Sequence, residues 1–449
     1  MSDSGKEPRD AIAEADEQNA RIHGRSGRLV RAIQKFNNGL SAAARREKYC
    51  KMATSAYALY RGTNHLYWMD FEWDWRLNRF GSYRTRTWLN GDCHAYNFGA
   101  YDVHRVGVVY GLNDFDEAVV ADYQYDLWRL AVSLVLIARE NGDLSHSNQE
   151  QVIDDLSEAY LGTLTRFGGN READETCYTR KNTDKPLKKF LAKVEKKESR
   201  GKLLEKWTRE IEGETRFDLE NGRLAEASPE ERSMIEAAMP AYVETIEGDL
   251  QFSPDFFTVK DAALRTGAGT GSLGTARYYL LLEGDKESGT DDLILDVKRQ
   301  GRPSAHPYAT RLQLREYAKR FPNEGIRHAV AYRALGFHPD DLLGWMELDD
   351  GVYSVRERSP FKESFPTEDL TSKKSFRGMA AQWGRGLATE HARADKITDY
   401  SLASEVAKLT DGKHSHFRAM VREVAFGYAD QVEEDWGTFL KHLAPVDCE

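Results

Sequence analysis

Between residues 255 and 358 a chain that otherwise reads as helix turns into short apolar runs of strand length, and this change of texture restricts the fold more than any single motif. Residues 276 to 283 and 293 to 298 read as strands around a turn-rich segment at 284 to 292. A second pair, 345 to 348 and 352 to 356, flanks Asp349-Asp350-Gly351, whose Asp-Gly step favours a hairpin. On either side helical spacing returns. Leu127, Leu130, Ala131, Leu134 and Ala138 share one face of a helix that stops at Asn141-Gly142, and 374 to 395 and 413 to 442 read as helix. The expectation is an α+β chain of two lobes with a cleft between them. A small β-rich lobe occupies 255–358, a large and mostly helical lobe 46–254, and C-terminal helices at 359–449 return to the large lobe. Residues 1–45 form a polar and then basic extension whose first 20 or so residues should fray.

Charge narrows the partners. The chain has 63 Lys and Arg against 73 Asp and Glu, a net −10, which argues against a chain-wide footprint for nucleic acid. Two local basic segments, 21 to 51 and 185 to 210, read as solvated helix faces, with a docking surface for an acidic partner as the competing reading. Cys50, Cys93, Cys177 and Cys448 are far apart and show no zinc spacing, so reduced thiols are expected. The first 30 residues carry no apolar signal core, and the most apolar run, 130 to 138, is far shorter than the ~20 residues that span a bilayer. A soluble, cytoplasmic protein without a membrane partner is expected.

The chemistry concentrates in two clusters. Gly91-Asp92-Cys93-His94-Ala95-Tyr96-Asn97 follows one strand-like run, and Asn113-Asp114-Phe115-Asp116-Glu117 follows the next. Carboxylates brought together at strand ends repel unless a cation or substrate neutralises them, and a magnesium ion is the simplest resolution. An Asp with an Asn five residues later is also the spacing by which phosphotransferases offer a base for a hydroxyl and an amide oxygen for metal, and an Asp before Phe supplies the main metal carboxylate. Asp92, with His94 beside it, is the catalytic candidate; Asn97, Asp114 and Asp116 are the metal candidates. Asp126 either caps the apolar helix or ties it back to the loop.

The second cluster, Gly267-Ala268-Gly269-Thr270-Gly271-Ser272-Leu273-Gly274, leads into a strand, which suits a flap over nucleotide phosphates better than a dinucleotide-binding turn. Gly269, Gly271, Ser272 and Gly274 are its phosphate-facing candidates. The next strand ends in Asp296-Val297-Lys298, where a lysine can reach phosphate oxygens. Such a lysine is commonly held by a helix glutamate, for which Glu316 and Glu324 are the candidates.

Tyr60-Arg61-Gly62, the segments 91 to 99 and 113 to 117, Asp126-Leu127-Trp128-Arg129-Leu130-Ala131 and Leu343-Gly344-Trp345 resemble the bacterial domain of unknown function 2252 family. So do Leu387-Ala388-Thr389-Glu390-His391-Ala392-Arg393 and Tyr428-Ala429-Asp430-Gln431, and the resemblance covers most of residues 45 to 442. That family is similar to aminoglycoside and protein kinases in its Gly-Asp-x-His-x-x-Asn and Asp-Phe-Asp segments, which implies a protein-kinase-like bilobal fold. Two positions depart from the pattern: Arg299 follows Lys298 where an acid is usual, and Val330 stands where a helix glutamate is expected. The order of parts is also inverted. In ordinary kinases the glycine flap and lysine precede the catalytic loop, whereas here that loop ends at Asn97 and the flap starts at Gly267, so the fold is expected to be circularly permuted. The functional expectation is an ATP- and magnesium-dependent phosphotransferase acting on an unidentified hydroxyl-bearing small molecule or protein. A nucleotide-binding regulator without catalysis and a metal-dependent phosphoesterase are the alternatives.

Overall fold

In the computed structural model, residues 24–248, 254–266, 274–284 and 291–448 are described. The start of the chain expected to fray lies outside them, as do Gly269, Gly271 and Ser272 and most of the turn at 284 to 292. The architecture is mixed α+β with several small sheets.

Strands Arg277–Leu282 and Leu293–Arg299 pair antiparallel, with Leu280 opposite Leu295, at the centre of a six-stranded sheet. Its order is Gly344–Leu348, Gly351–Glu357, Leu293–Arg299, Arg277–Leu282, Val259–Arg265 and Leu224–Glu226, every pair antiparallel. Leu280, Leu295 and Val297 pack under Ile235, Met239 and Tyr242 of helix Pro229–Val243. Leu281 and Ile294 face Leu203, Trp207 and Phe217 on the other side. Burial on both faces explains why the central strands are apolar at consecutive positions and not at alternate ones. The sheet therefore reaches back to Leu224, well before residue 255. A hairpin, Thr208–Ile211 with Glu214–Phe217, also interrupts the segment read as uniformly helical. Its turn places Glu212 and Gly213 at φ 53° and 84°, the positive-φ pair that a two-residue hairpin needs, and the Glu-Gly dipeptide signals that only weakly.

The helical body is drawn from both ends of the chain. Helix Gln124–Asn141 is buried along most of its length and ends at Gly142, φ 75°. It packs against His414–His442, and His146–Phe167 packs against Lys373–Arg393. Arg25 joins the first described helix, Gly24–Phe36, to this body through ion pairs of 2.7 Å to both Asp70 and Asp435. Among the described residues no helix is long and apolar enough to cross a membrane.

Cys50 and Cys448 form a disulfide, their Cα atoms 5.2 Å apart, which corrects the expectation of four reduced thiols. The two lie 398 residues apart, so no spacing rule could pair them; the last residues of the chain return to helix Ala42–Ala53 and bring them together. Cys93 and Cys177 remain free. The pairing removes the thiol argument for a reducing compartment.

Two helices of the body come close at Gly384, where an added Cβ would stand 2.3 Å from the Leu156 carbonyl oxygen and 3.1 Å from the Tyr160 nitrogen. Alanine there gains about 1 kcal/mol of helix propensity but must push two backbones apart, an overpacking cost of about 1–3 kcal/mol. Gly384→Ala is expected to lower the melting temperature by a few degrees, and a rise would contradict this packing.

Candidate functional site

Strand register builds the site. Strands Arg86–Leu89 and Val119–Asp122 pair with Leu89 opposite Val119, so the loops that follow the first and precede the second lie side by side. Strands Phe98–Val103 and Gly107–Leu112 pair with Phe98 opposite Leu112, which sets Asn97 beside Asn113; the Asn113 amide donates to the Asn97 carbonyl at 3.0 Å. Gly91 has φ 78°, and an added Cβ would stand 1.9 Å from the Glu117 carbonyl oxygen, so only glycine lets the two acidic loops touch.

Two buried charges hold these loops from behind. The Asp126 carboxylate, 1 % exposed, accepts the Asn90 and Gly91 amides at 2.6 and 3.0 Å. Its own partner is His391, whose Nε2 lies 3.2 Å away while Nδ1 meets the Tyr160 hydroxyl at 2.9 Å. Asp126 thus ties the apolar helix to the loop, one of the two roles the sequence left open. On the other side Arg327, 0 % exposed, donates to the carbonyls of Asp116 at 2.8 Å and Ala118 at 3.1 Å and pairs with Glu324 at 2.7 Å.

In front of these loops is a cavity of about 120 Å³ whose walls include Asp92, His94, Asn97, Asp114, Asp116 and Glu117. Asp92 accepts from Arg129 Nε at 2.6 Å; burial nonetheless pushes its carboxyl up to about 7, helped by Glu117 and Asp114 and opposed by Arg129. His94 Nε2 lies 3.7 Å from Asp92, and burial drives the imidazole well below its ordinary range, so it is neutral. Both hydrogens of the Asn97 amide are engaged, by Asn90 Oδ1 at 3.2 Å and the Asp92 carbonyl at 2.8 Å. That leaves Oδ1, an oxygen of the kind magnesium takes, as the remaining polar atom of the amide. The Asp114 carboxylate makes no ion pair among the described residues. Glu117 accepts the Ser304 amide and, at 3.3 Å, the Asn64 side chain.

Lys298 projects from the six-stranded sheet and forms an ion pair with Asp116, which also accepts from Gln300 at 3.0 Å. Burial opposes the lysine's charge, but Asp116 and Asp114 outweigh it and its pKa is raised; Asp116 is held well below the usual carboxylate range against the cost of its own burial. Neither candidate glutamate meets the lysine: Glu324 is taken by Arg327 and by Tyr317 at 2.5 Å, and Glu316 lines a different cavity. Asp116 therefore acts as counter-ion to Lys298 rather than as an open metal ligand. Of the glycine cluster, only Gly274 belongs to the described residues, where an added Cβ would stand 2.4 Å from Leu40 Cδ2. Among the described residues no group of three His, Cys, Asp or Glu side chains converges as metal ligands. An amide oxygen and a single carboxylate still fit magnesium, which keeps several waters or phosphate oxygens in its shell.

Sequence reasoning missed Arg129, Arg327, Lys48 and Arg61. Arg61 and Arg129 fall within segments of the family resemblance, but nothing in the basic run at 21 to 51 distinguishes Lys48. A second cavity of about 410 Å³, large enough for an organic ligand, lies beyond Trp68 and is lined by Trp73, Trp88, Tyr125, Tyr308 and Tyr317 among others.

The family model described as an uncharacterized protein conserved in bacteria, DUF2252, matches residues 41–442. No curated protein matches the chain. No solved structure matches it either.

Behind the second acidic loop Glu390 accepts the Leu112 amide at 2.8 Å, and burial raises its carboxyl from 4.5 to about 8. Between those values the folded chain keeps the proton and the unfolded chain releases it, so stability falls as pH rises through this window, by at most about 1.4 kcal/mol per pH unit. Glu390→Gln mimics the protonated acid and does not titrate. Its melting temperature relative to the parent is expected to climb between pH about 5 and about 8 and then level off; a pH-independent difference would contradict the assignment.

Proposed function

For this chain, which belongs to the DUF2252 family of bacterial proteins, we propose a magnesium-dependent phosphotransferase that moves the terminal phosphoryl group of ATP to a hydroxyl on a small molecule or protein. The observation that carries the reading is the Lys298–Asp116 pair. It brings a strand-borne lysine from the sheet onto the Asn-Asp-Phe-Asp-Glu loop, at the wall of the cavity that Asp92, Asn97 and Asp114 share. On this reading the lobes are kinase-like and their order along the chain is permuted, with Asp116 in place of the helix glutamate.

Each residue then has a role. Asp92 orients the acceptor hydroxyl and takes its proton as the oxygen bonds to phosphorus and the bond to the ADP oxygen breaks; a carboxyl near 7 suits that exchange. Arg129 fixes the Asp92 side chain, and neutral His94 stands 3.7 Å from it. Asn97 Oδ1 and Asp114 would hold magnesium, which supplies neutralisation of phosphate charge when bound. Lys298 faces the phosphates. A cavity of about 120 Å³ takes phosphoryl oxygens and a cation but not a nucleoside, so base and sugar would lie beyond it.

ATP with magnesium is expected to raise the melting temperature, by the equivalent of about 2.7 kcal/mol at a hundredfold excess over Kd, and Asp114→Asn to remove most of that rise. Incubation with γ-labelled ATP and cell extract should label an acceptor, and Asp92→Ala should abolish the label. Binding without transfer would favour a regulator, ATP-independent release from phosphate esters would favour an esterase, and an unchanged melting curve would end the nucleotide reading.

A further inference from the structure

The wall of the cavity formed by the N-terminal helices carries the opposite charge. Lys48 lies in helix Ala42–Ala53, and unlike its exposed neighbours Arg46 and Glu47 it turns inward and is 3 % exposed. Its ammonium lines the same cavity as Asp92 and lies 5.1 Å from the centre of the Phe36 ring, which stacks on His65 at 4.0 Å. Among the described residues that ammonium makes no hydrogen bond and no ion pair. Arg61 lines the cavity too, its guanidinium 4.8 Å from the Tyr96 ring and its buried Nε without a hydrogen-bond partner among the described residues.

Ring faces attract cations but offer their N–H donors only a weak π acceptor in place of an oxygen. A cation withdrawn from water with donors unused is costly, and an anion that brings oxygens to those donors offsets the cost. Among the described residues the four carboxylates of the cavity do not fill this role: Asp92 is bound to Arg129, Asp116 to Lys298 and Glu117 to Ser304 and Asn64, and Asp114 forms no ion pair with either cation. A tetrahedral, multiply charged oxyanion such as phosphate carries enough oxygens to serve two cations, and Lys48 and Arg61 line the same space of about 120 Å³.

We propose that Lys48 and Arg61 form a binding subsite for a phosphate-type oxyanion, contributed by the N-terminal helices to the wall of the cavity that holds Asp92. Burial lowers the lysine to about 8 against the pull of Glu117, the direction that an arriving anion would reverse. The same helices border the end of the glycine segment, since Leu40 and Ala44 are the atoms nearest a Cβ on Gly274. Only the source of the anion rests on the phosphotransferase reading: it is either the terminal phosphoryl group of the nucleotide or a phosphate carried by the acceptor.

Calorimetric titration of the full chain with inorganic phosphate, without nucleotide or metal, tests the subsite. Saturable binding is expected, weakened at least about tenfold in Lys48→Met and largely restored in Lys48→Arg, with circular dichroism confirming that each variant is folded. Lys48→Gln replaces the methionine variant if that one does not fold. No saturable binding by the parent up to about 20 mM phosphate, or unchanged affinity in a folded Lys48→Met or Lys48→Gln, overturns the proposal. The melting shifts given by ATP and ADP, each with magnesium, identify the source. A shift lost for ATP and kept for ADP in Lys48→Met assigns the anion to the transferable phosphoryl group, and both shifts kept while phosphate binding is lost assigns it to the acceptor. Failure of the nucleotide reading itself would show as no nucleotide shift in the parent, with phosphate binding intact.

Discussion

Four carboxylates, Asp92, Asp114, Asp116 and Glu117, line one small cavity, and the chain must hold the loops that carry them without neutralising every charge. Mutual repulsion would otherwise drive those loops apart. The solution is to grip the backbone and not the side chains. Asp126 accepts two amides of the first loop, and Arg327 donates to three carbonyls of the second, both charges almost wholly buried. Removing one partner from a buried, hydrogen-bonded charge network costs about 3–5 kcal/mol, so these contacts set the geometry of the cavity and contribute heavily to stability at once. Gly91 completes the arrangement, because no side chain fits between the two loops.

With the backbone held, the side chains divide by charge. Asp116 is matched to Lys298 and Asp92 to Arg129, while among the described residues neither the Asp114 carboxylate on one side nor Lys48 and Arg61 on the other form an ion pair. A cavity with an open acidic edge facing an open basic edge suits a ligand that carries both signs, and a cation bound to phosphate oxygens is such a ligand. The basic edge comes from helices that precede the first acidic loop in sequence, and the Cys50–Cys448 disulfide fastens one of them to the end of the chain.

The sequence made the strands and the chemistry of the two loops legible, because both are local signals. Residues 276 to 283 and 293 to 298 read as strands, and the observed strands Arg277–Leu282 and Leu293–Arg299 coincide with them almost residue for residue. Asp349-Asp350-Gly351 marked a hairpin for the same reason. What could not be read was which distant groups meet. Lys298 finds its counter-ion in Asp116, 182 residues away, where a helix glutamate was expected, and Glu324 is turned instead to Arg327. Lys48 sits in a run in which Arg28, Arg31, Lys35 and Arg46 are exposed, and only the packing of its helix turns it inward. The hairpin of Thr208–Ile211 and Glu214–Phe217 was hidden by charge density that looks helical and by a turn that lacks Asn or Asp.

A crystal structure of the protein with magnesium and a non-hydrolysable ATP analogue decides whether the cavity binds nucleotide phosphates. The analogue's phosphates are expected between Lys298 and the loop of Asp114, with the cation on Asn97 Oδ1 and the Asp114 carboxylate. Phosphates bound elsewhere, for example with the analogue in the aromatic cavity beyond Trp68, or a complex in which Lys298 and Asp114 touch neither phosphate nor metal, would contradict this reading.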